Sequence, residues 1–147
     1  MAYLSSAHAQ SGTVTKPPGV ASDHVLSAGI ITTAGVPGSV PSGWTFQSAC
    51  SIDDTAVSGF LLSIYTKVAG GSEPSSYTWG DPSGGSVVSA GIHANTGRDT
   101  TTILSGTPTK IAEYDASAPV SCSVGSITVG AGADLVIFAA GIAIGND

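Results

Sequence analysis

The sequence predicts an all-β fold, a single antiparallel β-sandwich of jelly-roll-like form. Three observations carry that expectation. Apolar residues alternate with a period of two over several short stretches, the segments between them are rich in Gly, Pro, Ser and Asp, and no window combines helical apolar spacing with caps. At 147 residues the chain is one domain, long enough to bury roughly two-thirds of the surface its unfolded form exposes. Residues 1–19 are expected to be an N-terminal arm or edge segment, and residues 20–147 the sandwich domain.

Residues 1–15 are small and polar with weak apolar spacing, so only a short edge strand near residues 12–15 is expected there. Lys16-Pro17-Pro18-Gly19 then interrupts regular structure, because proline cannot donate to a ladder and restricts its predecessor. Such an arm is either loose or draped over a neighbour. Residues 23–33 read as a strand, with Val25, Ser27, Gly29 and Ile31 on one side and Leu26, Ala28 and Ile30 on the other. A long turn, AGVPGSVPSG at 34–43, delivers the short strand Trp44-Thr45-Phe46. Trp44 is most simply a core plug closing one end of the sandwich. The functional alternative makes Trp44 and Trp79 a stacking platform for sugar, but aromatic rings in small sandwiches are usually buried. Residues 49–58 are expected to be a polar loop holding Asp53 and Asp54. Adjacent carboxylates invite a calcium reading, yet a calcium site needs about six to eight oxygen ligands, and DxDxDG-type spacing is missing.

The centre of the chain, residues 59–94, carries the strongest strand signal. Phe60, Leu62, Ile64, Thr66 and Val68 form one largely apolar face, opposite Leu61, Ser63, Tyr65 and Lys67. From residue 87 to 94, Val88, Ala90, Ile92 and Ala94 alternate with Ser89, Gly91 and His93. The core is therefore expected to contain Trp44, Phe60, Leu62, Ile64, Val88 and Ile92. Residues 69–74 and 80–85 are turns, rich in residues that supply positive φ or hold it near −65°.

Residues 95–109 have no clear pattern, and residues 110–114 could add a short edge segment. Residues 121–129 alternate as a strand, 130–134 turn the chain, and 135–144 form a closing strand. In that strand Leu135 and Ile137 face one way, and Val136 and Phe138 face the other. Both sides are apolar and both need cover. Leu135, Val136, Ile137 and Phe138 are accordingly expected at or beside a subunit contact, around a threefold axis in the simplest case. The rival is a central strand covered by the chain's own second sheet and loops.

Charged residues make up 10% of the chain, and the net charge is −6. A free-standing domain normally carries about a quarter charged residues. So little charge with a positive mean hydropathy predicts that neighbours cover part of the surface; a monomer with a Ser/Thr-rich exterior is the alternative. Lys16, Lys67, Arg98 and Lys110 are the whole basic complement, too few for the positive stripe that nucleic-acid binding requires. No membrane span is expected, because the most apolar stretch, 135–144, falls short of about 20 residues. Ala7-His8-Ala9 resembles a signal-cleavage box, but no basic region or long apolar run precedes it. Cys50 and Cys122 could pair, although two cysteines without a secretory context are more often buried thiols.

No catalytic residue, metal ligand set or cofactor is expected. His8, His24 and His93 lie far apart without HxxxH, HxH or HExxH spacing. GxSxG, CxxC and a phosphate-cradling glycine loop are absent from the sequence. Of ten acidic residues only two are glutamates, and most fall in loops, which argues against a glycosidase-type carboxylate pair.

Three motifs stand out: PSGWT at 41–45, YTKVAGGSEP at 65–74 and YTW at 77–79. Together they resemble a β-rich domain recurrent in tailed-phage virion proteins and related bacterial surface proteins, whose pattern is PSGWT, then YKVAG-(A/G)-SEP, then SYTW. The similarity extends more loosely over residues 20–144. It implies a non-enzymatic structural role as a capsid decoration, or cement, protein on the outer phage head. Its partners would be the major capsid protein and further copies of itself, as a homotrimer, with assembly in the host cytoplasm. The alternative from the same resemblance is a tail-fibre or surface adhesion module that binds host glycans through loops and exposed aromatic rings. Exposure of Tyr77 or Trp79 beside carboxylates would favour adhesion, and burial of both would weaken it.

Overall fold

The computed structural model describes residues 2–54, 57–97 and 100–101. Within them the chain is all-β and antiparallel, with no helix and a β-sandwich-like arrangement of two layers. Seven strands run in order: β1 (Ala2–Ala9), β2 (Thr13–Thr15), β3 (Val25–Thr32), β4 (Thr45–Asp54), β5 (Val57–Val68), β6 (Ser76–Thr78) and β7 (Val87–Thr96). Five of them form one sheet in the order β1-β7-β3-β5-β4, while β2 and β6 pair separately.

β3 lies at the centre of the large sheet, and seven of its eight residues are buried. Its Leu26, Ala28 and Ile30 pair with Ala94, Ile92 and Ala90 on β7, and Ala28 pairs with Tyr65 on β5. These side chains make up the front face, against which Val14 of β2, Tyr77 of β6 and Trp79 pack as one apolar cluster. Removing each of Leu26, Ile30 and Ile92 from water contributes about 1.5–3 kcal/mol. The small sheet alone could not persist, since a two-stranded ribbon is marginal in water.

Of the two forms expected at the chain start, arm or edge segment, residues 2–9 take the second, as a longer edge strand than their apolar spacing describes. Residues 2–9 pair along β7, from Ala2 opposite Thr96 to Ala9 opposite Ala90, with a bulge at Leu4. Leu4, Ala7 and Ala9 pack against the core, half-buried. Alanine and serine supply little apolar periodicity, so backbone pairing at the sheet edge decides this element. The short strand expected near residues 12–15 is β2, with Val14 fully buried.

β4 is also longer than its pattern indicates. The segment expected as a polar loop instead continues the strand through Asp54 and pairs with β5, Ser48 opposite Ile64 and Ile52 opposite Phe60. A strand at the rim of a sheet tolerates polar side chains on both sides, and its composition then mimics a loop.

Of the six residues expected in the core, Trp44 and Ile92 are buried, whereas Phe60, Leu62, Ile64 and Val88 are half-buried. On β5 the front face is Ser63 and Tyr65, both buried, so Leu62 and Ile64 point to the far side. On β7 the register jumps between Ile31–Ser89 and Thr32–Val87. Val88 is the extra residue of that bulge, and Val87 takes the core position in its place. Leu135, Val136, Ile137, Phe138 and Cys122, with the strands expected at 121–129 and 135–144, lie outside the described residues.

Candidate functional site

The residues of the three motifs converge on one place, where the end of β5, the turn after it, β6 and the turn before β4 meet. Lys67 stands near the end of β5, Glu73 in the turn of residues 69–75, and Tyr77 in the middle of β6. Lys67 Nζ lies 2.8 Å from Glu73 Oε2. The Tyr77 hydroxyl donates to the same oxygen at 2.7 Å. The Gly70 N–H donates to Glu73 Oε1 at 2.6 Å, closing the turn on its own carboxylate. Lys67 also donates to the Ser42 carbonyl at 3.1 Å and sits 5.5 Å over the Tyr77 ring. One lysine thus ties the turn after β5 to the turn that launches β4.

Gly43, next to Ser42, has φ of +82°. A Cβ there would approach Lys67 Cε to 3.1 Å. Glycine therefore serves two needs at this position, a left-handed backbone and room for the lysine stem.

Behind the ion pair the rings stack edge to face. Trp44 meets Tyr77 at 5.3 Å with planes at 88°, and meets Trp79 at 5.3 Å with planes at 62°. Tyr65 and Phe46 extend the row, 5.6 Å apart. Such pairs are worth about 0.5–1.5 kcal/mol each beyond the area they bury. Among the described residues the buried indole N–H groups of Trp44 and Trp79 meet no acceptor, which sets about 1–3 kcal/mol per group against that gain.

Electrostatics favour a static cluster. Burial acts to raise the Glu73 carboxyl, but hydrogen bonds from Lys67, Gly70 and Tyr77 and the Lys67 charge outweigh it and hold the group below the usual carboxylate range. Burial, reinforced by the neighbouring carboxylate, pushes the Tyr77 hydroxyl well above its ordinary value. Burial also raises Tyr65. A carboxylate held this way is neither a proton donor nor a free base near neutral pH, because both its oxygens already accept internal donors.

The histidines fall elsewhere. His24 Nδ1 accepts the Ala21 N–H at 3.2 Å and so caps a turn. His93 on β7 is half-buried, 6.2 Å from the Tyr3 ring, and His8 is exposed on β1 opposite Gly91. The sheet therefore sets His8 and His93 on adjacent strands, diagonal to one another. No group of three or more His, Cys, Asp or Glu side chains converges among the described residues. Asp53 and Asp54 end β4, at the hairpin into β5.

The Lys67–Glu73–Tyr77 arrangement is not evident from the residues taken singly. Its signal lies in the spacing: a lysine, a glutamate six residues on and a tyrosine four beyond that, across a Gly-Gly turn. Comparison with known proteins adds no further assignment: no protein-family model, no curated protein and no solved structure matches the chain.

Proposed function

We propose that this chain is a structural virion protein, a decoration or cement protein on the outer surface of a phage head, acting as a homotrimer against the major capsid protein. One observation carries the choice between the two roles that the sequence resemblance implies. Tyr77 and Trp79, the rings a glycan-binding module would present, are 2% and 1% exposed, and Trp44 is buried with them. The motif residues are engaged in holding the fold together, and sugar stacking needs an open ring face. Low charge supports the same role, since a surface with few ionic groups is suited to lie against other subunits.

The mechanism is passive. Apolar area removed from water at about 25 cal/mol per Å² raises the free energy needed to separate shell subunits. It requires no cofactor and no catalytic group. Particles assembled without the protein should form normally but burst at lower temperature or under milder osmotic shock, and purified protein added back should restore them. Unchanged head stability with loss of adsorption to cells would transfer the role to adhesion.

A further inference from the structure

We infer that β1 is an exchangeable strand: in the assembled protein it leaves its own sheet and pairs along β7 of a second copy of this chain, each copy lending β1 to the next. This rests on the self-association proposed above.

β1 is held differently from the strands inside the sheet. Among the described residues its ladder runs along β7 alone. From Tyr3 to Ala9 no residue is fully buried, and Leu4, Ala7 and Ala9 lean on the core half-buried, whereas β3 buries seven residues of eight. Backbone pairing therefore does most of the holding, helped by the Ser5 hydroxyl on the Pro18 carbonyl at 2.6 Å and the Ser89 hydroxyl on the Ala9 carbonyl at 3.3 Å.

The strand also hangs on a hinge with a sharp end. Gln10 and Ser11 are exposed, and Ser11 Oγ bonds the nearby Thr13 backbone, donating to its carbonyl at 3.2 Å and accepting its N–H at 3.3 Å. From Gly12 onward the chain is fixed. The Gly12 carbonyl accepts the Trp79 N–H at 2.9 Å, a Cβ on Gly12 would collide with the Trp79 carbonyl oxygen, and Val14 is fully buried. β1 can swing out about Gln10 and Ser11 while β2 and β6 stay in place.

Identity of sequence decides what occupies the edge that β1 vacates. That edge of β7 is matched to β1 residue by residue, with Ser6 opposite His93, Ala7 opposite Ile92 and His8 opposite Gly91, and every copy carries the same strand. Neither β1 nor β7 contains Asp, Glu, Lys or Arg, so the exchanged ladder sets no like charges face to face, although each chain carries a net −6. The same bonds and half-buried side chains recur in both arrangements, which is why strand exchange is a low-cost route to closed assemblies. Edge strands are commonly guarded by lysine or proline; β1 has neither, and only the bulge at Leu4 interrupts it. The hinge also fixes where the copies meet. Ala9 to Gly12 spans at most about 10 Å, so the neighbour's β7 lies beside the corner where β1 gives way to β2.

The test uses the Ser6–His93 pair, whose directly opposed positions suit a disulfide. Full-length copies carrying only Ser6→Cys and copies carrying only His93→Cys are unfolded together in equal amounts, refolded, concentrated and oxidised. The expected result is a disulfide-linked pair of chains on a non-reducing gel, absent when either variant is treated alone; those single variants control for Cys50 and Cys122. No linked pair from a mixture that sediments as an oligomer overturns the inference and spares the proposed function. So does a chain bearing both substitutions that closes the link within itself inside the oligomer. Inserting Gly-Ser-Gly between Gln10 and Ser11 gives an independent reading, because a slack hinge lets β1 close on its own β7. Sedimentation at equal concentration should then show a shift from oligomer to monomer, and a wild-type oligomer fraction overturns the inference. A wild type that sediments as a monomer at every concentration overturns it together with the homotrimer.

Discussion

Lys67 and Glu73 close a 2.8 Å ion pair across the turn that follows β5, with side chains only 13% and 5% exposed. Because Tyr77 and Gly70 share the same carboxylate, this single pair couples β5, its turn and β6, and through Ser42 it reaches the start of β4. The fold's most distinctive sequence motif is thus a fastening between layers.

Glu73→Ala should therefore be among the most damaging single changes. It leaves Lys67 without its counter-ion and the Tyr77 hydroxyl without its acceptor, and breaking a buried pair from one side costs about 3–5 kcal/mol. Glu73→Gln, which keeps an acceptor oxygen, should lose less. Urea unfolding checks this: the midpoint should fall with little change in slope. A midpoint like that of wild type would show that the pair fastens nothing.

Acid should act through the same carboxylate. Glu73 titrates below its ordinary value of 4.5 in the folded chain, so its contribution is present above that pH and is lost as pH falls through the folded value. Thermal midpoints measured downward from about pH 5 should drop for wild type and drop less for Glu73→Gln. Equal slopes would mean that other acids govern acid stability.

Alkali should act through Tyr77. Its folded pKa is raised above the ordinary 10.0, so the unfolded chain ionises first and stability declines as pH rises past that value. Tyr77→Phe removes this term and also leaves Glu73 without one donor. Its melting curve should be lower than wild type near neutrality yet flatter above about pH 10. A wild-type curve with no alkaline decline beyond that of Tyr77→Phe would refute the linkage.

Trp44→Ala should cost about 3–5 kcal/mol, since it opens a cavity between Tyr77 and Trp79. Trp44→Phe, keeping an edge-to-face partner, should be milder. If the alanine variant folds as wild type and loses only affinity for a surface or a sugar, the ring is a ligand platform after all.

Gly43→Ala should destabilise by about 1 kcal/mol or more, from the left-handed backbone and from crowding of the Lys67 stem. Combined with Lys67→Ala, the crowding part should vanish while the backbone part stays. The two losses should then sum to more than the double variant shows in denaturant titrations.

Several elements are legible in the sequence alone. Alternation at 25–31, 60–68 and 87–94 marks β3, β5 and β7, whose bounds in the fold differ by only a few residues. The Gly/Pro segments at 34–43 and 80–85 lie between strands, as their turn chemistry requires. Trp44 and Ile92 are buried, as their patterns predict. β1 and the outer half of β4 are not legible, because edge strands are held by backbone bonds, to which side-chain pattern is indifferent.

What the sequence by itself determined is the all-β, antiparallel class and the strands of clearest alternation, β3, β5 and β7, because period-two patterning and turn chemistry act over a few neighbouring residues. Only the tertiary structure decided which face of a strand is inside. Leu62 and Ile64 are more apolar than Ser63 and Tyr65, yet β5 buries the latter pair, with Tyr65 against Trp79. The reason is physical: a strand inside a sheet has two usable faces, and the choice belongs to whichever distant segment packs best against one of them. Here that segment is β6 and the residue after it, with the rings of Tyr77 and Trp79, tied to the end of β5 by Lys67 and Glu73.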